Sequence, residues 1–410
     1  MSKLKKYAFS ELYDISSGIS TTKTQAGHGS PFVSFRTVFN NIFLPDELTD
    51  LMDTSTREQE TYSIKKGDIL ITRTSETVDE LAMSCVALKD YPKATYSGFV
   101  KRLRPKTDGV AYDKFMAFFL RSKYFRKVID CNTIMTLRAS FNEDMFSFLN
   151  LYLPDYETQV KAGDLLYNIE RKIQTNRRIN DNLQQQLKLM YDYWFTQFDF
   201  PDENGKPYKS SGGTMIWNNE LQREIPKGWN CVSLGDILKK NFSPFDYLSI
   251  EPTVDLSIMP SASIAIDHMN SSDMFSTNLF KMKEGDILFG SIRPYLRKAG
   301  IAPCDGVVAG TVHSYQVKEP TDYNFAIFTL CRDAFFDYAT KVSTGTKMPV
   351  VSSESILSYK VPYSKSIVAR FNQINVRKII CANVQESQKL VALRDWLLPI
   401  LMNGQATISD

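Results

Sequence analysis

Apolar residues recur at alternating spacings of three and four between Leu153 and Phe198, and this pattern predicts one long helix with a narrow apolar face. It is the heptad pattern of a coiled coil, in which the narrow face packs against a partner helix. Because buried amides destabilise such a seam unless they meet polar groups, two asparagines in its middle predict a partner with a matching polar break. The predicted seam consists of Leu166, Ile169, Ile173, Asn176, Asn180, Leu183, Leu187, Met190 and Trp194.

A second stretch of the same chain provides that partner. It keeps the heptad spacing, with apolar ends and a polar middle, and Arg394 is the one seam residue out of type. We predict that the two helices pair in antiparallel orientation, and a helix of about 40 residues spans roughly 60 Å. The second seam consists of Val376, Ile380, Asn383, Ser387, Leu390, Leu397 and Leu401.

The globular parts of the chain repeat each other, which indicates a tandem duplication. The segment YSIKKGDILITRTS at residues 62–75 matches FKMKEGDILFGSIR at residues 280–293, with the same GDIL core. FSELYDIS at residues 9–16 likewise matches VSLGDILK at residues 232–239. Because the matches keep their order in both halves, each half comprises a globular domain followed by a long helix.

We therefore predict an α/β chain of two mixed α/β domains, separated by an antiparallel pair of long coiled-coil helices and related by a pseudo-two-fold internal repeat. The connector between the halves clusters proline, glycine and serine, and we expect Trp217 and Trp229 to hold it on the surface. The predicted segments are a first domain at residues 1–152, a central spacer helix at 153–198, an extended connector at 199–230, a second domain at 231–362, a C-terminal spacer helix at 363–402 and a tail at 403–410.

Composition disfavours several classes of protein. The 410 residues are 43% apolar and 23% charged, as in soluble globular proteins. No run approaches the ~18 apolar residues of a membrane span, and the first residues lack the apolar core of a signal peptide, so we expect a cytoplasmic protein. The six scattered cysteines form no CxxC pair, which favours reduced thiols over disulfides or a zinc site.

The distribution of charge constrains any nucleic-acid function more than the formal net charge of +3. Residues 1–152 hold 21 lysines and arginines against 18 acidic residues, whereas residues 231–362 hold 12 against 14. The second domain is therefore not basic overall. A DNA-binding surface there requires cations that are concentrated locally or neutral hydrogen-bonding groups.

The sequence carries no recognisable catalytic motif. It contains no GxxxxGK(S/T) or GxGxxG phosphate-binding motif, and no Asn-Pro-Pro-aromatic or Asp-Pro-Pro-aromatic tetrapeptide of an amino-methyltransferase. The histidines His28, His268 and His313 have no metal-ligand spacing, so we predict no metal site. These observations favour a non-catalytic protein.

One constellation, Pro154-Asp155 with Glu170-x-Lys172, has the spacing of a metal-dependent nuclease motif. A nuclease needs the glutamate and lysine on a strand beside the aspartate, so that the carboxylates converge on Mg²⁺. Here both lie in the heptad helix. The favoured interpretation is a solvated helix face.

Candidate DNA-contacting residues follow the GDIL strand in both halves, where a buried strand gives them a rigid base. Arginine, lysine, serine and threonine side chains on such loops can read base edges or bind phosphates. For any single arginine, an ordinary surface charge is the alternative interpretation. The candidates are Arg73, Thr74 and Ser75 in the first half and Ser291, Arg293, Tyr295, Arg297 and Lys298 in the second.

A second candidate loop precedes each long helix. The first is TIMTLRASFN with Arg138, and the second is STGTKMPVVS with Thr346 and Lys347. Arg36 is a further candidate. The basic run KRLRPK at residues 101–106 is more typical of a solvated strand end than of a phosphate contact.

Several segments resemble the specificity subunit of Type I restriction-modification systems. They are the central block NRRINDNLQQQLKLMYDYWFTQFDFPDENGKPYKSSGG, the following IPKGW and LGDI, the TGTKMP loop and the closing LRDWLLPILMNGQ. The resemblance implies two target-recognition domains, each reading one half of a bipartite DNA site, and a helix pair that fixes the spacer. It also implies a non-catalytic subunit that binds no cofactor itself.

The same resemblance implies partners for the chain. Two modification (methyltransferase) subunits would carry S-adenosylmethionine and dock on the helices and their flanks, while restriction subunits would use ATP and Mg²⁺ to translocate and cleave double-stranded DNA. A two-headed protein-interaction scaffold without DNA specificity is the alternative interpretation. A stand-alone nuclease is the least favoured.

Overall fold

Two folding units share the two long helices of the chain. The computed structural model describes residues 4–75, 80–132, 139–405 and 408. The first unit comprises the chain up to Arg171 together with the segment from Val391, and the second comprises Lys172–Leu390. Each long helix therefore contributes one part of its length to each unit.

The first unit is a mixture of short strands and helices. Its strands are β1 Lys5–Ala8, β2 Tyr13–Ser17, β3 Ala26–Val33, β4 Leu51–Met52, β5 Ile69–Thr72, β6 Thr74–Ser75, β7 Ser84–Val86, β8 Thr95–Tyr96, β9 Val100–Pro105, β10 Ala139–Ser140 and β11 Asn150–Leu153. Its helices are α1 Phe9–Leu12, α2 Phe35–Asn40, α3 Thr56–Thr61, α4 Asp113–Phe119, α5 Lys123–Asn132, α6 Glu143–Phe148 and the shared α7 Tyr156–Tyr191. An antiparallel sheet of order β2-β9-β5-β7 forms its centre.

The second unit has the same kinds of elements. Its strands are β12 Met215–Asn218, β13 Arg223–Pro226, β14 Asn230–Ser233, β15 Leu238–Asn241, β16 Pro252–Val254, β17 Asn270–Ser271, β18 Leu279–Met282, β19 Ile287–Gly290, β20 Ala299–Ile301, β21 Gly306–Ala309, β22 Val312–Val317 and β23 Lys360–Tyr363. Its helices are α8 Leu234–Ile237, α9 Tyr323–Leu330, α10 Asp333–Lys341, α11 Ser353–Leu357, α12 Lys365–Phe371 and the shared α13 Val376–Met402. Its central antiparallel sheet has the order β15-β22-β19-β20.

The two units share the main strand pairings. Besides the central sheets, each has one parallel pair, β3 with β8 and β16 with β21. Each also has one antiparallel pair, β1 with β11 and β14 with β23, that brings a strand near the start of the unit beside its last strand. The predicted fold class, mixed helix and sheet with a pair of long helices, is confirmed. The shared connectivity also explains why the sequence matches keep their order.

A short apolar helix lies at the core of each unit. In the first unit α4 buries Phe115, Met116 and Phe119, and in the second α9 is buried along its whole length. Burial on all sides explains why these segments are apolar without helical periodicity. Among the described residues, no helix is long and apolar enough to cross a membrane.

The shared GDIL sequence forms the turn that precedes the central strand of each unit. Gly67 has a φ of 85° and its counterpart a φ of 83°, in the left-handed region that glycine adopts without steric cost. The buried Asp68 carboxylate accepts a hydrogen bond from Lys65 N at 2.8 Å, and Asp286 makes the same bond at 3.0 Å. The repeated sequence is therefore required by a turn rather than by a ligand.

The paired seams of α7 and α13 are largely buried. The buried apolar residues of the two seams are Leu166, Ile169, Ile173, Leu187, Val376, Ile380 and Leu401. The half-buried ones are Leu183, Met190, Trp194, Leu390 and Leu397. Removing these side chains from water is the main favourable contribution to the pairing.

In the second unit, the polar middle of the seam is hydrogen-bonded within the chain. Asn176 Nδ2 donates to Glu386 Oε2 at 2.8 Å and to Ser387 Oγ at 3.3 Å, and Asn383 Nδ2 donates to Asn180 Oδ1 at 2.8 Å. Later residues of α7 meet earlier residues of α13, so the pairing there is antiparallel. These bonds offset the desolvation of the donating amide groups, whereas the buried Asn176 Oδ1 has no partner among the described residues.

In the first unit, an ion pair joins the two helices. Arg394 Nη1 lies 2.8 Å from Glu170 Oε2, and the Glu170 side chain is only 9% exposed. The predicted solvated position of Glu170 is therefore wrong, because the carboxylate neutralises the arginine that interrupts the seam. Lys172 is exposed and pairs with Glu386 at 3.1 Å in the second unit.

The central helix is shorter at both ends than predicted. Leu153 belongs to β11, and Asp155 Oδ1 caps the helix by accepting a hydrogen bond from Thr158 N at 2.9 Å. The regular helix ends at Tyr191, and a π-helical turn at Asp192–Thr196 follows it.

The predicted C-terminal helix is interrupted, so that α12 and α13 replace one continuous helix. Buried Asn324 donates to Phe371 O at 3.1 Å and to Ile374 O at 2.8 Å in the break. Asn375 Oδ1 accepts from Lys378 N at 3.0 Å and starts α13. The side chains of Asn324 and Asn375 thus form hydrogen bonds with backbone groups that have no helical partner at the interruption.

The connector contains the β12–β13 hairpin and is held to the second unit by aromatic packing. The ring of buried Trp229 lies 5.8, 5.5 and 5.2 Å from those of Phe195, Phe198 and Phe200. Trp217 is 59% exposed, so its predicted anchoring role is wrong. The sequence alone does not show which of the two tryptophans packs against the second unit, because packing depends on contacts with residues that are distant along the chain.

The cysteines are free thiols, of which Cys85 and Cys381 are buried and Cys131 is exposed. Burial raises the pKa of both buried thiols to about 12. They are therefore protonated at neutral pH and pack as small apolar side chains.

We predict that Arg394→Ala lowers the free energy of unfolding by about 1–3 kcal/mol, because it removes the cation opposite a nearly buried carboxylate. The double variant Glu170→Leu with Arg394→Leu should recover most of this loss, since two apolar side chains suit the seam. Urea unfolding followed by circular dichroism measures both effects. The single variants Glu170→Leu and Arg394→Leu complete the cycle, and a double variant whose loss equals the sum of the two single losses would contradict a direct interaction.

Candidate nucleic-acid interface

In the second unit, two of the predicted loops lie side by side. Val351 N donates to Ser291 O at 2.9 Å, and Arg293 N donates to Pro349 O at 2.8 Å. Ile292 also forms an antiparallel bridge with Val350. The loop after the central strand and the loop before the last strand therefore form one surface, although more than 40 residues separate them along the chain.

The first unit joins its corresponding loops in the same way. Strand β6 pairs with β10, and Phe141 N donates to Arg73 O at 2.7 Å. A third loop completes each surface, because Arg73 N donates to Phe99 O and Ser291 N donates to Thr311 O, both at 2.9 Å. Arg73 and Ser291 are thus equivalent positions, each directly after the central strand.

We name these surfaces loop cluster 1 and loop cluster 2. Loop cluster 1 comprises residues 73–75, 97–99 and 139–141, and loop cluster 2 comprises residues 291–298, 310–311 and 344–351. Both rest on backbone hydrogen bonds to a buried strand. The loops are therefore held by the fold, which suits recognition of a rigid partner.

The structure divides the candidates in loop cluster 1 by exposure. Arg73 is exposed, Thr74 is half-buried, and Ser75 is buried. The side chain of Ser75 therefore does not reach the surface of the unit. Arg138 lies outside the described residues, so its prediction stays a prediction.

Loop cluster 2 carries two arginines in unusual backbone conformations. Arg293 and Arg297 have φ values of 50° and 56° and flank the 3₁₀ turn Pro294–Leu296. Such values are uncommon for residues with a Cβ atom, and they cluster at functional sites. Arg293 is exposed, whereas Arg297 Nη1 forms an ion pair with Asp333 Oδ1 at 3.0 Å.

The remaining candidates of the strand-following loop differ in accessibility. Tyr295 is 52% exposed. Lys298 Nζ donates to Leu256 O at 2.7 Å, and buried Ser291 Oγ donates to Thr311 O at 2.9 Å. Lys298 and Ser291 therefore make internal contacts, and Arg293 and Tyr295 are the freely accessible side chains of this loop.

The TGTKMP loop presents Thr346 and Lys347 to solvent. Thr344 and Val350 close it with reciprocal backbone bonds of 3.0 and 2.9 Å, which makes the loop a tight hairpin. Gly345 has a φ of 97°, a backbone conformation that glycine adopts readily and that is unfavourable for residues with a Cβ atom. Short closed loops of this kind present their side chains in a fixed direction.

Arg36 is exposed near the start of α2. A backbone hydrogen bond connects this part of the chain to loop cluster 1. Val33, three residues earlier, accepts a hydrogen bond from Ser97 N at 3.0 Å. The guanidinium of Arg121 holds the other end of α2 by donating to Val38 O and Asn41 O at 2.7 and 2.8 Å. Burial lowers the pKa of Arg121 to about 10, so it remains charged at neutral pH.

The basic run at residues 101–106 is engaged within the first unit. Lys101 pairs with Glu143 at 3.4 Å, and Arg102 Nη1 donates to Ser63 O at 2.6 Å. Two further cations make similar contacts, Arg104 with the Asp68 carboxylate and Lys106 with a backbone carbonyl and Asp14. These side chains stabilise the sheet, and the run is a weak candidate for phosphate contact.

Sequence reasoning missed Phe99, which is 62% exposed in loop cluster 1. The sequence prediction considered polar side chains on two loops of each half. The third loop, which carries Phe99, joins the same surface through backbone hydrogen bonds between residues that are distant along the chain. His313, beneath loop cluster 2, places Nε2 3.2 Å from Val351 O, and burial lowers its pKa. It is therefore neutral at physiological pH and supports the loop without adding charge.

The described residues contain no group of three His, Cys, Asp or Glu side chains that could hold a metal ion. The nuclease-like spacing does not assemble a site either. Glu170 faces Arg394 in the helix seam, while Asp155 caps the start of α7. The two loop clusters can present polar and aromatic groups to a partner.

Comparisons with known proteins agree with this arrangement. Residues 1–185 match the family model described as the Type I restriction modification DNA specificity domain. The chain is 24% identical over 364 residues to the Type I restriction enzyme MjaIX specificity subunit of Methanocaldococcus jannaschii, covering 84% of this chain and 79% of that protein. It is 28% identical over 204 residues to the HindI specificity subunit of Haemophilus influenzae, covering 48% and 42%.

A solved structure has the same fold. The crystal structure of the Type I restriction-modification S subunit from M. genitalium matches with a TM-score of 0.57 at 16% identity and covers 98% of this chain and 96% of that one. Sequence and fold thus agree with the resemblance carried by the central block and the closing segment. Residues 1–185 thus match a Type I restriction-modification specificity domain, and most of the chain is similar to a specificity subunit of a Type I restriction enzyme.

Proposed function

We propose that this chain is the DNA-binding specificity subunit of a Type I restriction-modification complex and recognises a bipartite site with a fixed spacer. The observation that supports this most strongly is the duplicated three-loop surface. Loop cluster 1 and loop cluster 2 have the same backbone bonds but different side chains, as expected when two domains read two different sequences. The matched specificity domain supports the same conclusion.

The proposed recognition uses the exposed cations of each loop cluster. Arg73 in the first and Arg293 with Lys347 in the second are accessible to DNA. Arginine can bind guanine O6 and N7 in the major groove or a phosphate, and lysine contributes a phosphate contact. Arg293 and Lys347 also offset the slight acidic excess of the second domain. Tyr295 and Thr346 add neutral hydrogen-bonding groups.

We propose that the helix pair sets the number of base pairs between the half-sites. A spacer of constant length needs a constant register between α7 and α13. The bonds from Asn176 and Asn383, and the pair of Glu170 with Arg394, penalise any slip, because a shift leaves buried polar groups without partners. Register locking is the best-supported use of buried polar groups in helix pairs.

Catalysis is assigned in this proposal to partner subunits. Two modification subunits would bind S-adenosylmethionine and methylate adenine, and restriction subunits would use ATP and Mg²⁺. Large apolar side chains exposed on the two helices are suitable docking contacts for such partners. They include Leu189 in the second unit, which is 71% exposed, and Trp396 in the first unit, which is 64% exposed.

A two-headed protein scaffold remains the second candidate. The observation that favours it is the apolar character of part of loop cluster 2, where Met348 is 55% and Val350 39% exposed. Exposed methionine and aromatic side chains are common at protein interfaces. DNA footprinting distinguishes the two functions, because a scaffold without DNA specificity protects no DNA sequence.

We expect the purified complex of this chain with its modification subunits to protect two short DNA segments separated by a constant unprotected spacer. Two similar loop clusters with one helix pair lead to this pattern. Hydroxyl-radical footprinting on a methylated target measures it. A single continuous protected segment contradicts the bipartite proposal, and loss of all sequence preference favours the scaffold.

We predict that Arg73→Ala and Arg293→Ala each weaken specific DNA binding by about tenfold, as expected for the loss of one cationic contact to a base or phosphate. Fluorescence anisotropy over a range of salt concentrations gives the affinity and its salt dependence. Lys106→Ala is the matched control, because this exposed cation makes internal contacts, and it should bind within about twofold of wild type. Unchanged binding by both arginine variants would show that the proposed loops do not read DNA.

A further inference from the structure

Phe99 is a large apolar side chain exposed in the middle of a polar surface. Phe99 is 62% exposed, and its neighbour in loop cluster 1 is Arg73. Arg73 N donates to Phe99 O at 2.9 Å, so the two residues are in direct backbone contact. Exposing a phenyl ring to water is unfavourable unless a partner covers it.

The turn that carries Phe99 is held firmly. Val100 N donates to Ser97 O at 2.9 Å, and Phe99 N donates to Ser97 Oγ at 3.2 Å. Ser97 N in turn donates to Val33 O at 3.0 Å. A Cβ atom added at Gly18 would lie 2.1 Å from Ser97 O, so glycine is required for this close approach. The ring therefore projects from a rigid base.

The second unit has no aromatic residue at this position. Its equivalent is Thr311, which accepts from Ser291 N as Phe99 accepts from Arg73 N. Thr311 is half-buried. The duplicated scaffold keeps the backbone bond and changes the side chain, which is the pattern expected of a specificity position rather than a structural one.

The base edges of DNA offer one prominent apolar group in the major groove, the C5 methyl of thymine. Polar groups at a recognition surface read donors and acceptors, but only an apolar side chain covers a methyl group favourably. A rigid, exposed phenyl ring beside an arginine has the right chemistry. The arginine can bind an adjacent base or phosphate while the ring packs on the methyl.

We propose that Phe99 reads a thymine in the half-site bound by loop cluster 1, through contact with its C5 methyl group. The proposal rests on the proposed function, since it assumes that loop cluster 1 faces DNA. It adds a residue that determines sequence choice by an apolar contact, in one half-site and not in the other.

The experiment replaces each thymine of the first half-site by deoxyuridine, which removes only the C5 methyl. Wild type and Phe99→Ala, each in complex with the modification subunits, are titrated with the thymine and uridine duplexes. One replacement should weaken wild-type binding by about fourfold, the value of one buried methyl group. The same replacement should not affect Phe99→Ala, and the salt dependence of binding should be the same for both proteins, because no charge is lost.

Phe148→Ala is the matched control, since Phe148 is 79% exposed in the same unit but lies outside loop cluster 1. It should bind like wild type and keep the sensitivity to deoxyuridine. Equal affinity of Phe99→Ala and wild type overturns the proposal. So does a loss that is the same on thymine and uridine duplexes, which would indicate a contact other than the methyl. Failure of wild type to bind any duplex specifically instead contradicts the proposed function.

Discussion

The need to satisfy polar groups inside an apolar helix seam is the constraint on which this structure depends. Apolar contacts alone would let α7 and α13 slide by a heptad at little cost, because leucine and isoleucine recur along both seams. In the observed register, Asn176, Asn383 and Arg394 make hydrogen bonds to the opposite helix, and Arg394 also binds Asp395 of its own helix. The polar groups reduce the stability available to an all-apolar seam, and in return they favour a register in which these groups are paired.

The duplicated units show how one scaffold can present two different sets of exposed side chains. The turn at Gly67 and Asp68 recurs in both halves because its backbone geometry requires a glycine with positive φ and a buried carboxylate. The loops beyond it keep their backbone bonds and change their side chains, as in the replacement of Phe99 by Thr311 at equivalent positions. Sequence similarity between the halves therefore marks the shared turn, and dissimilarity marks the loops that are proposed to contact DNA.

Much of the fold could be predicted from the sequence because it depends on local patterns. Heptad spacing indicated both long helices, and the repeated GDIL segments indicated two similar domains. The site could be predicted only in part, since exposure depends on contacts between distant residues. Ser75 and Ser291 look like readout residues in sequence but are buried, Glu170 meets an arginine from α13, and Phe99 joins the surface through a third loop.

The central claim is that the helix pair sets the spacing and the loop clusters set the sequence. Mapping methylated adenines in a host genome tests both parts together, with the natural chain and with a chain that has one heptad inserted at facing positions of α7 and α13. We predict the same two half-sites in both genomes and a longer spacer with the insertion. An unchanged spacer, or altered half-sites, would contradict the account.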